Sequence, residues 1–265
     1  ALGVQPLWAT TLIYLGAVAV LLAYRPSTVK SFVQFPALWV LLVAAGLTNV
    51  GFNWAVTVGD VVRVVLLFYL MPAWVVLLAW PILGERPTAG SLARLGLALL
   101  GVVVVLKADN SPWPWPSGLA DYLALMGGFS FALTNVMLRK LGNAPPAAGM
   151  LAMFSGGAAM AALAAWWGMQ SGLVPALPAA AGVWWAWVAG LSLVFLVANF
   201  GLQYGASRLS ANTGSLIMLS EVLFASSSSV LLGAGTLTPK VVLGGALIVA
   251  ASLLSIWAHG REAGQ

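Results

Sequence analysis

The sequence predicts an all-α protein that crosses a lipid bilayer several times. Hydrophobic residues make up 62% of the chain and charged residues only 6%, whereas soluble domains carry about 25% charged residues. The mean hydropathy is +1.00, and long apolar runs alternate with short polar turns. Because lipid cannot satisfy an exposed backbone amide, each crossing run is expected to be helical. Together these observations exclude a soluble domain.

The stretch 61–106 contains two apolar runs joined by the polar turn Gly84-Glu85-Arg86-Pro87. After Arg63, the first run carries no charge until that turn. At 1.5 Å of rise per residue, about 20 helical residues cross a bilayer core of roughly 30 Å. The stretch therefore predicts a transmembrane hairpin.

Run length and hydropathy predict about nine membrane spans. The proline-rich polar segment DNSPWPWPSG, residues 109–118, is interpreted as a linker between two halves. We assign 1–108 to the first half, 109–117 to the linker and 118–265 to the second half. The spans lie near 7–24, 35–58, 61–83, 91–106, 119–138, 147–167, 183–204, 211–232 and 240–258.

The loops differ in charge, and this difference predicts the orientation of the chain. Cytoplasmic loops carry an excess of Lys and Arg, so we place the richer side and the C-terminus in the cytoplasm and the linker outside. The basic residues form no stripe, so the positive net charge does not indicate nucleic-acid binding. The richer side has Arg25, Lys30, Arg86, Arg94, Arg139, Lys140, Arg208 and Arg261, and the other side has Arg63, Lys107 and Lys240.

Two short segments have matching patterns. Residues 49–55, NVGFNWA, lie in the second span, and residues 199–205, NFGLQYG, lie in the seventh. Both read N-x-G-x-(N/Q)-aromatic-small, and the two spans cross in opposite directions. The pattern predicts an inverted repeat of two helical halves, with a substrate site near the midplane where the halves meet. Because the halves show four and five spans, we expect a further apolar helix before Ala1, completing a ten-helix architecture of which about nine helices are visible.

Several motifs carry a resemblance to a known family. The segment YLMP at 69–72 precedes the GER turn at 84–86, DN at 109–110 begins the linker, and Asn199-x-Gly201 is followed by Val222. With these motifs the chain resembles the EamA-type members of the drug/metabolite transporter (DMT) superfamily. It is most similar to the YddG-type aromatic amino acid exporters. It departs from them at Glu221, where the compared exporter has proline, and at Ala234, where many relatives keep glutamate.

The resemblance implies a secondary transporter that works by alternating access across the bacterial inner membrane. Its expected substrates, which it exports, are amino acids, including aromatic ones, and other small amphiphilic metabolites. It is expected to need no cofactor and to function as a monomer in the lipid bilayer, with a small-molecule substrate and no nucleic acid. The alternative class is a non-transporting membrane scaffold or a lipid-handling protein. We expect no catalytic or metal site, because His259 is the single histidine, cysteine is absent, and the P-loop, G-x-S-x-G and H-E-x-x-H motifs are missing.

Glu221 lies about ten residues into its predicted span, near the bilayer midplane. A carboxylate there costs roughly 3 kcal/mol and is expected to face a cavity or a partner. It either binds a substrate ammonium or acts as a protonation switch, or it is a neutral acid bonded to a neighbouring helix.

The remaining candidates are amides in apolar helices, aromatic and thioether side chains around Pro72, and one face of the fifth span. The amides either bind substrate or form interhelical hydrogen bonds. Aromatic and thioether walls suit an aromatic or methionine-like substrate. The resemblance implies a structural or gating role for Pro72, Glu85 and Arg86, with an ion pair at Glu85-Arg86. The candidate substrate-binding residues are Asn49, Asn53, Tyr69, Met71, Trp74, Ser130, Thr134, Met137, Asn199, Gln203, Met218 and Glu221.

Overall fold

The structure is a computed structural model that describes residues 4–106, 116–177, 182–206 and 238–262. Within these residues the chain is helical apart from short connections. A 3-10 turn, Pro26–Lys30, joins the first two helices. The helices are α1 (Pro6–Tyr24), α2 (Ser31–Gln34), α3 (Ala37–Val58), α4 (Val61–Phe68), α5 (Met71–Leu83), α6 (Ala89–Leu106), α7 (Leu119–Lys140), α8 (Pro146–Gln170), α9 (Gly182–Ala206) and α10 (Pro239–Glu262).

Five helical segments of the described chain are long and apolar enough to cross a membrane. α6, α9 and α10 lie where the sequence predicts further spans, and the observed bounds differ from the predicted ones by a few residues. The predicted span at 211–232 lies outside the described residues. The five segments are Pro6–Tyr24, Ala37–Val58, Val61–Leu83, Leu119–Lys140 and Pro146–Gln170.

Local chemistry explains where several of these helices begin and end. The Gln5 side chain accepts a hydrogen bond from the Leu7 N–H at 2.6 Å and caps α1. Asp60 caps α4 in the same way, since its Oδ1 accepts from the Arg63 N–H at 2.9 Å. α5 ends at Leu83 and is capped by Gly84, whose φ of 77° lies in the left-handed region that favours glycine.

The predicted span 61–83 is divided into two helices. α4 ends at Phe68 and α5 begins at Met71, with Tyr69 and Leu70 in a tight turn between them. The Leu70 N–H bonds to the Leu67 carbonyl oxygen at 3.3 Å, three residues back instead of four. Pro72 has no N–H for the Phe68 carbonyl, so the regular helical pattern cannot continue through this point. A proline inside an apolar run predicts a kink, and the structure has a two-residue break before Pro72.

α3 lies at the centre of the described bundle and packs against α7 and α8, while α6 packs against α10 and α1 against α8 and α9. Glycines bring these helices close together. A Cβ added at Gly51 of α3 would lie 2.7 Å from the Cα of Gly127 in α7, and one at Gly46 would lie 2.5 Å from the Gly156 carbonyl oxygen in α8. Small residues at such contacts are typical of helix packing in membranes.

Candidate functional site

Aromatic side chains gather at the break between α4 and α5. Phe68 lies 5.0 Å from Phe52 of α3 and 5.5 Å from Phe131 of α7, measured between ring centroids. Tyr69 follows in the break, with its ring 6.1 Å from that of Phe68. These distances are typical of favourable aromatic pairs. We call these four residues the break cluster; it places the predicted site residue Tyr69 where α3, α4 and α7 meet.

Two glycines of α7 let this break approach the helix closely. A Cβ added at Gly128 would lie 2.5 Å from the Phe68 carbonyl oxygen, and one at Gly127 would lie 3.3 Å from the Phe68 ring. A side chain at Gly128 would therefore push the break away from α7. The position of the break cluster depends on this glycine pair.

Trp74 lies one turn beyond the break, on α5. Its ring meets Phe129 of α7 edge to face at 5.5 Å. The Trp74 Nε1 is buried and has no hydrogen-bond partner among the described residues, as is also true of Trp54 in the core. A buried donor without a partner costs about 1–3 kcal/mol and needs an explanation in a native protein. Trp74 can donate a hydrogen bond to an acceptor that the described residues do not supply.

Asn49 and Asn53 of α3 both reach across to α1. Asn49 Oδ1 accepts from the Tyr14 hydroxyl at 3.1 Å, and its Nδ2 donates to the Ala45 carbonyl oxygen at 2.9 Å. Asn53 Nδ2 donates to Thr10 Oγ1 at 2.9 Å. These contacts are interhelical hydrogen bonds, the alternative that the sequence left open beside substrate binding. Both amides are engaged with α1 in this conformation.

The predicted face of α7 divides into a buried and an exposed stripe. Ser130 and Thr134 are each 3% exposed, and the Thr134 hydroxyl donates to the Ser130 carbonyl oxygen at 2.9 Å. Met137 is 4% exposed and belongs to a hydrophobic cluster with residues of α3 and α8. The helical spacing of the fifth span also places Tyr122 and Phe129 on this face, and both are exposed. Of this face, Phe129 is the residue whose ring contacts Trp74.

The other predicted site residues are less fully described. Met71 is half-buried at the start of α5, and Asn199 is half-buried on α9. The backbone of Pro72 lies in the first turn of α5, and that of Gln203 lies in α9. Met218 and Glu221 lie outside the described residues, and the side chains of Pro72 and Gln203 are not described.

An ion pair that the sequence did not reveal joins α4 to α7. The Arg63 guanidinium donates from Nε to Asp121 Oδ1 and from a terminal nitrogen to Asp121 Oδ2, each at 2.8 Å. Asp121 also accepts from the Ser117 N–H at 3.0 Å and from its hydroxyl at 3.2 Å. The i,i+3 spacing of Asp60 and Arg63 also predicts a rim pair, and Asp60 Oδ1 accepts from the Arg63 N–H. An acidic residue in the first turn of an apolar span was the available signal for Asp121.

A second ion pair joins the other end of Val61–Leu83 to the other end of α7. The Arg139 guanidinium of α7 donates to Glu85 Oε1, just after α5. The expected pair between Glu85 and Arg86 is therefore corrected, because Glu85 pairs with Arg139, and Arg86 is exposed without an ion pair to any described residue. The sequence could not show this, because Arg139 lies 54 residues further along the chain.

The described site offers aromatic rings, a buried indole donor and small-residue contacts. Over residues 4–106, 116–177, 182–206 and 238–262, no group of three His, Cys, Asp or Glu residues could hold a metal ion. The arrangement suits the non-covalent binding of a partly apolar molecule that carries a hydrogen-bond acceptor.

Comparison with known proteins gives a family match for part of the chain. Residues 2–107 match the model of the EamA-like transporter family. One solved structure, described as the crystal structure of a protein, has a TM-score of 0.55 and 22% identity to this chain, and the match covers 98% of this chain and 90% of that one. That likeness shows the fold alone. No curated protein matches. The family match over residues 2–107 and the five apolar helices indicate a multi-pass membrane protein.

Proposed function

We propose that the protein is a secondary transporter that exports amino acids, including aromatic ones, and other small amphiphilic metabolites across the bacterial inner membrane by alternating access. The observation that carries the proposal is the break in Val61–Leu83. Discontinuous membrane helices form the substrate sites of many secondary transporters, because an interrupted helix brings polar backbone and side chains to the midplane. The family match over residues 2–107 supports the same class.

Helix packing supports the inverted repeat within this proposal. In the repeat, α1 corresponds to α8, α3 to α9, and α6 to α10. If a two-fold axis relates the two halves, a helix that lies near this axis packs on the corresponding helix of the other half. α1 packs on α8 in this way, and α6 packs on α10. The same axis predicts that, if α3 packs on α8, then α9 packs on α1. Both contacts are observed.

The break cluster and Trp74 suggest how an amino acid would bind. The rings of Phe68 and Tyr69 provide an apolar surface for the side chain. The unpartnered Trp74 Nε1–H provides a donor for the carboxylate. Glu221, on sequence grounds, is the candidate partner of the ammonium group. In the same proposal the turn that carries Glu85 and the C-terminus face the cytoplasm.

The test is uptake of a panel of radiolabelled amino acids by liposomes that contain the purified protein, with and without a pH gradient. Trp74→Phe removes the indole donor and keeps an aromatic ring. We expect it to lower uptake about tenfold, the equivalent of ~1.4 kcal/mol in substrate binding. Trp80→Phe is the matched control, since Trp80 lies on the same helix and is exposed; it should transport normally.

Equal uptake by protein-containing and empty liposomes for every amino acid would refute the proposal. Transbilayer movement of fluorescent phospholipids in the same liposomes would then support the lipid-handling alternative. Normal amino acid uptake by Trp74→Phe would refute the assigned role of Trp74 while leaving the transport proposal in place.

A further inference from the structure

Val61–Leu83 and α7 run parallel, and an ion pair joins them at each end. Arg63 lies in the first turn of α4 and Asp121 in the first turn of α7, while Glu85 and Arg139 lie at the opposite ends. α7 rises roughly 27 Å between Asp121 and Arg139, close to the thickness of a bilayer core. We call the end of the bundle that carries Arg63 and Asp121 the Arg63 end, and the end that carries Glu85 and Arg139 the Glu85 end.

The ion pair at the Arg63 end is the more firmly held. The Asp121 side chain is 5% exposed and accepts four hydrogen bonds, two from Arg63 and two from Ser117. The two-point contact fits the planar guanidinium to the carboxylate. Separating these groups would leave a buried charge without its partner, which is strongly unfavourable.

The ion pair at the Glu85 end is held weakly. The side chains of Arg139 and Glu85 are 56% and 50% exposed, and a single hydrogen bond joins them. Water can replace that bond on both groups, so exposed pairs of this kind contribute little. This pair can open and close readily.

α4, at the Arg63 end, is more deeply buried than α5, which leads to the Glu85 end. Val62 and the four residues of α4 from Val64 to Leu67 are each at most 5% exposed. α5 also packs on α7 and buries Ala73 and Ala79 to at most 5% exposure, but its other face exposes Leu77 and Trp80, at 42% and 57%. The break at Tyr69 and Leu70 separates these two parts, so α5 can tilt while α4 stays packed against α7.

We propose that Arg63 and Asp121 act as a latch that keeps the Arg63 end closed, while the weak Glu85–Arg139 contact lets α5 tilt about the break and open the Glu85 end. The two ion pairs thereby set the resting conformation of the transporter. They are positioning residues that act on helix position and do not touch substrate. The inference rests on the proposed transport function for its meaning, while the conformational claim can be measured without any substrate.

Because the chain contains no cysteine, spin labels can be placed at chosen cysteine pairs and their distances measured in liposomes. Pro87→Cys with Gly142→Cys reports on the Glu85 end, and Val61→Cys with Tyr122→Cys on the Arg63 end. α5 is roughly 20 Å long, so a tilt of about 15° at the break moves its end by about 5 Å.

We expect Glu85→Gln to raise a few-fold the population of a second distance at the Glu85 end, about 5 Å longer than the first, and to leave the Arg63 end unchanged. Lys140→Gln is the matched control, because it removes a neighbouring exposed charge outside the ion pair, and it should change neither distance. Arg63→Lys keeps the charge but loses the two-point contact, and it should broaden the distances at the Arg63 end.

No change at the Glu85 end in Glu85→Gln, or an equal change at both ends, would overturn the latch proposal. A narrow, unchanged distance at the Arg63 end in Arg63→Lys would also overturn it. Liposome uptake separates this outcome from failure of the proposed function. A protein with the expected distance changes but without uptake of any amino acid has the latch and lacks the transport activity.

Discussion

Asn53 donates a hydrogen bond from Nδ2 to the Thr10 hydroxyl oxygen at 2.9 Å, which joins α3 to α1 within the apolar part of the bundle. α1 packs chiefly on α8 and α9, so this bond ties it to the central helix from another direction. Interhelical hydrogen bonds of this type contribute about 0.6 kcal/mol on average and up to about 1.7 kcal/mol.

The first prediction concerns the energy of this bond. Asn53→Ala and Thr10→Val should each lower the free energy of unfolding by about 1 kcal/mol, or about 2–4 °C in melting temperature for a chain of this size. The double variant should cost no more than either single one, since both remove the same bond. Thermal unfolding of the two single variants and the double variant in detergent gives the double-mutant cycle. If the two losses of stability add fully, the two groups are not coupled.

The second prediction concerns the close approach of α7 to the break. Gly128→Ala places a Cβ 2.5 Å from the Phe68 carbonyl oxygen. It should destabilise the protein by about 1–3 kcal/mol and reduce uptake by displacing the break cluster. Gly190→Ala is the control, because nothing lies within 4 Å of an added Cβ there. The control should be neutral or stabilise α9 by about 0.5–1 kcal/mol; equal melting temperatures for both variants would count against the packing.

The third prediction uses a contact between α1 and α9. A Cβ added at Gly16 would overlap the Ser192 Oγ and lie 3.0 Å from its Cβ, and Ser192 is 2% exposed. Gly16→Ala alone should be destabilising. Gly16→Ala with Ser192→Gly should be more stable than the sum of the two single effects by about 1 kcal/mol. Melting temperatures of the three variants test this, and strict additivity would show that the helices separate to accept the methyl group.

The fourth prediction concerns Glu221. This residue lies outside the described residues, so the prediction is based on the sequence alone. Glu221→Gln keeps the shape of the side chain and removes its charge. If Glu221 binds the substrate ammonium, uptake should fall for all amino acids, because they share that group. If it is a proton switch, uptake should persist and lose its response to a pH gradient. Normal uptake with a normal pH response in Glu221→Gln would leave only a structural role.

Helix positions could be predicted because a membrane span needs a minimum apolar length. The predicted span at 7–24 is observed as Pro6–Tyr24, and the one at 91–106 as Ala89–Leu106. The division of Val61–Leu83 was harder to foresee. A proline inside an apolar run allows either a bent helix or a break, and the choice depends on what packs against it. Here Gly127 and Gly128 of α7 make room for the break.

The ion-pair partners could not be predicted for a different reason. Local spacing predicted Asp60 beside Arg63, and Asp60 does accept from the Arg63 N–H, while the family resemblance implied Arg86 for Glu85. The observed partners, Asp121 and Arg139, lie 58 and 54 residues away. Their selection depends on the parallel arrangement of Val61–Leu83 and α7, which no single segment encodes. Phe52 and Phe131 of the break cluster were missed for the same reason.

The packing of α1 on α8 and α9 has a consequence for biosynthesis. Ser192 of α9 lies 2.8 Å from the Ile13 carbonyl oxygen of α1, across 179 residues of chain. At about 5–20 residues per second, a ribosome needs roughly 10–35 s to make that intervening stretch. During this time α1 is in the membrane without α9, while α3 and α8 are made earlier. α1 therefore has to stay in place until α9 is inserted, and a chain that ends before α9 leaves the Ile13 side of α1 without its final partner.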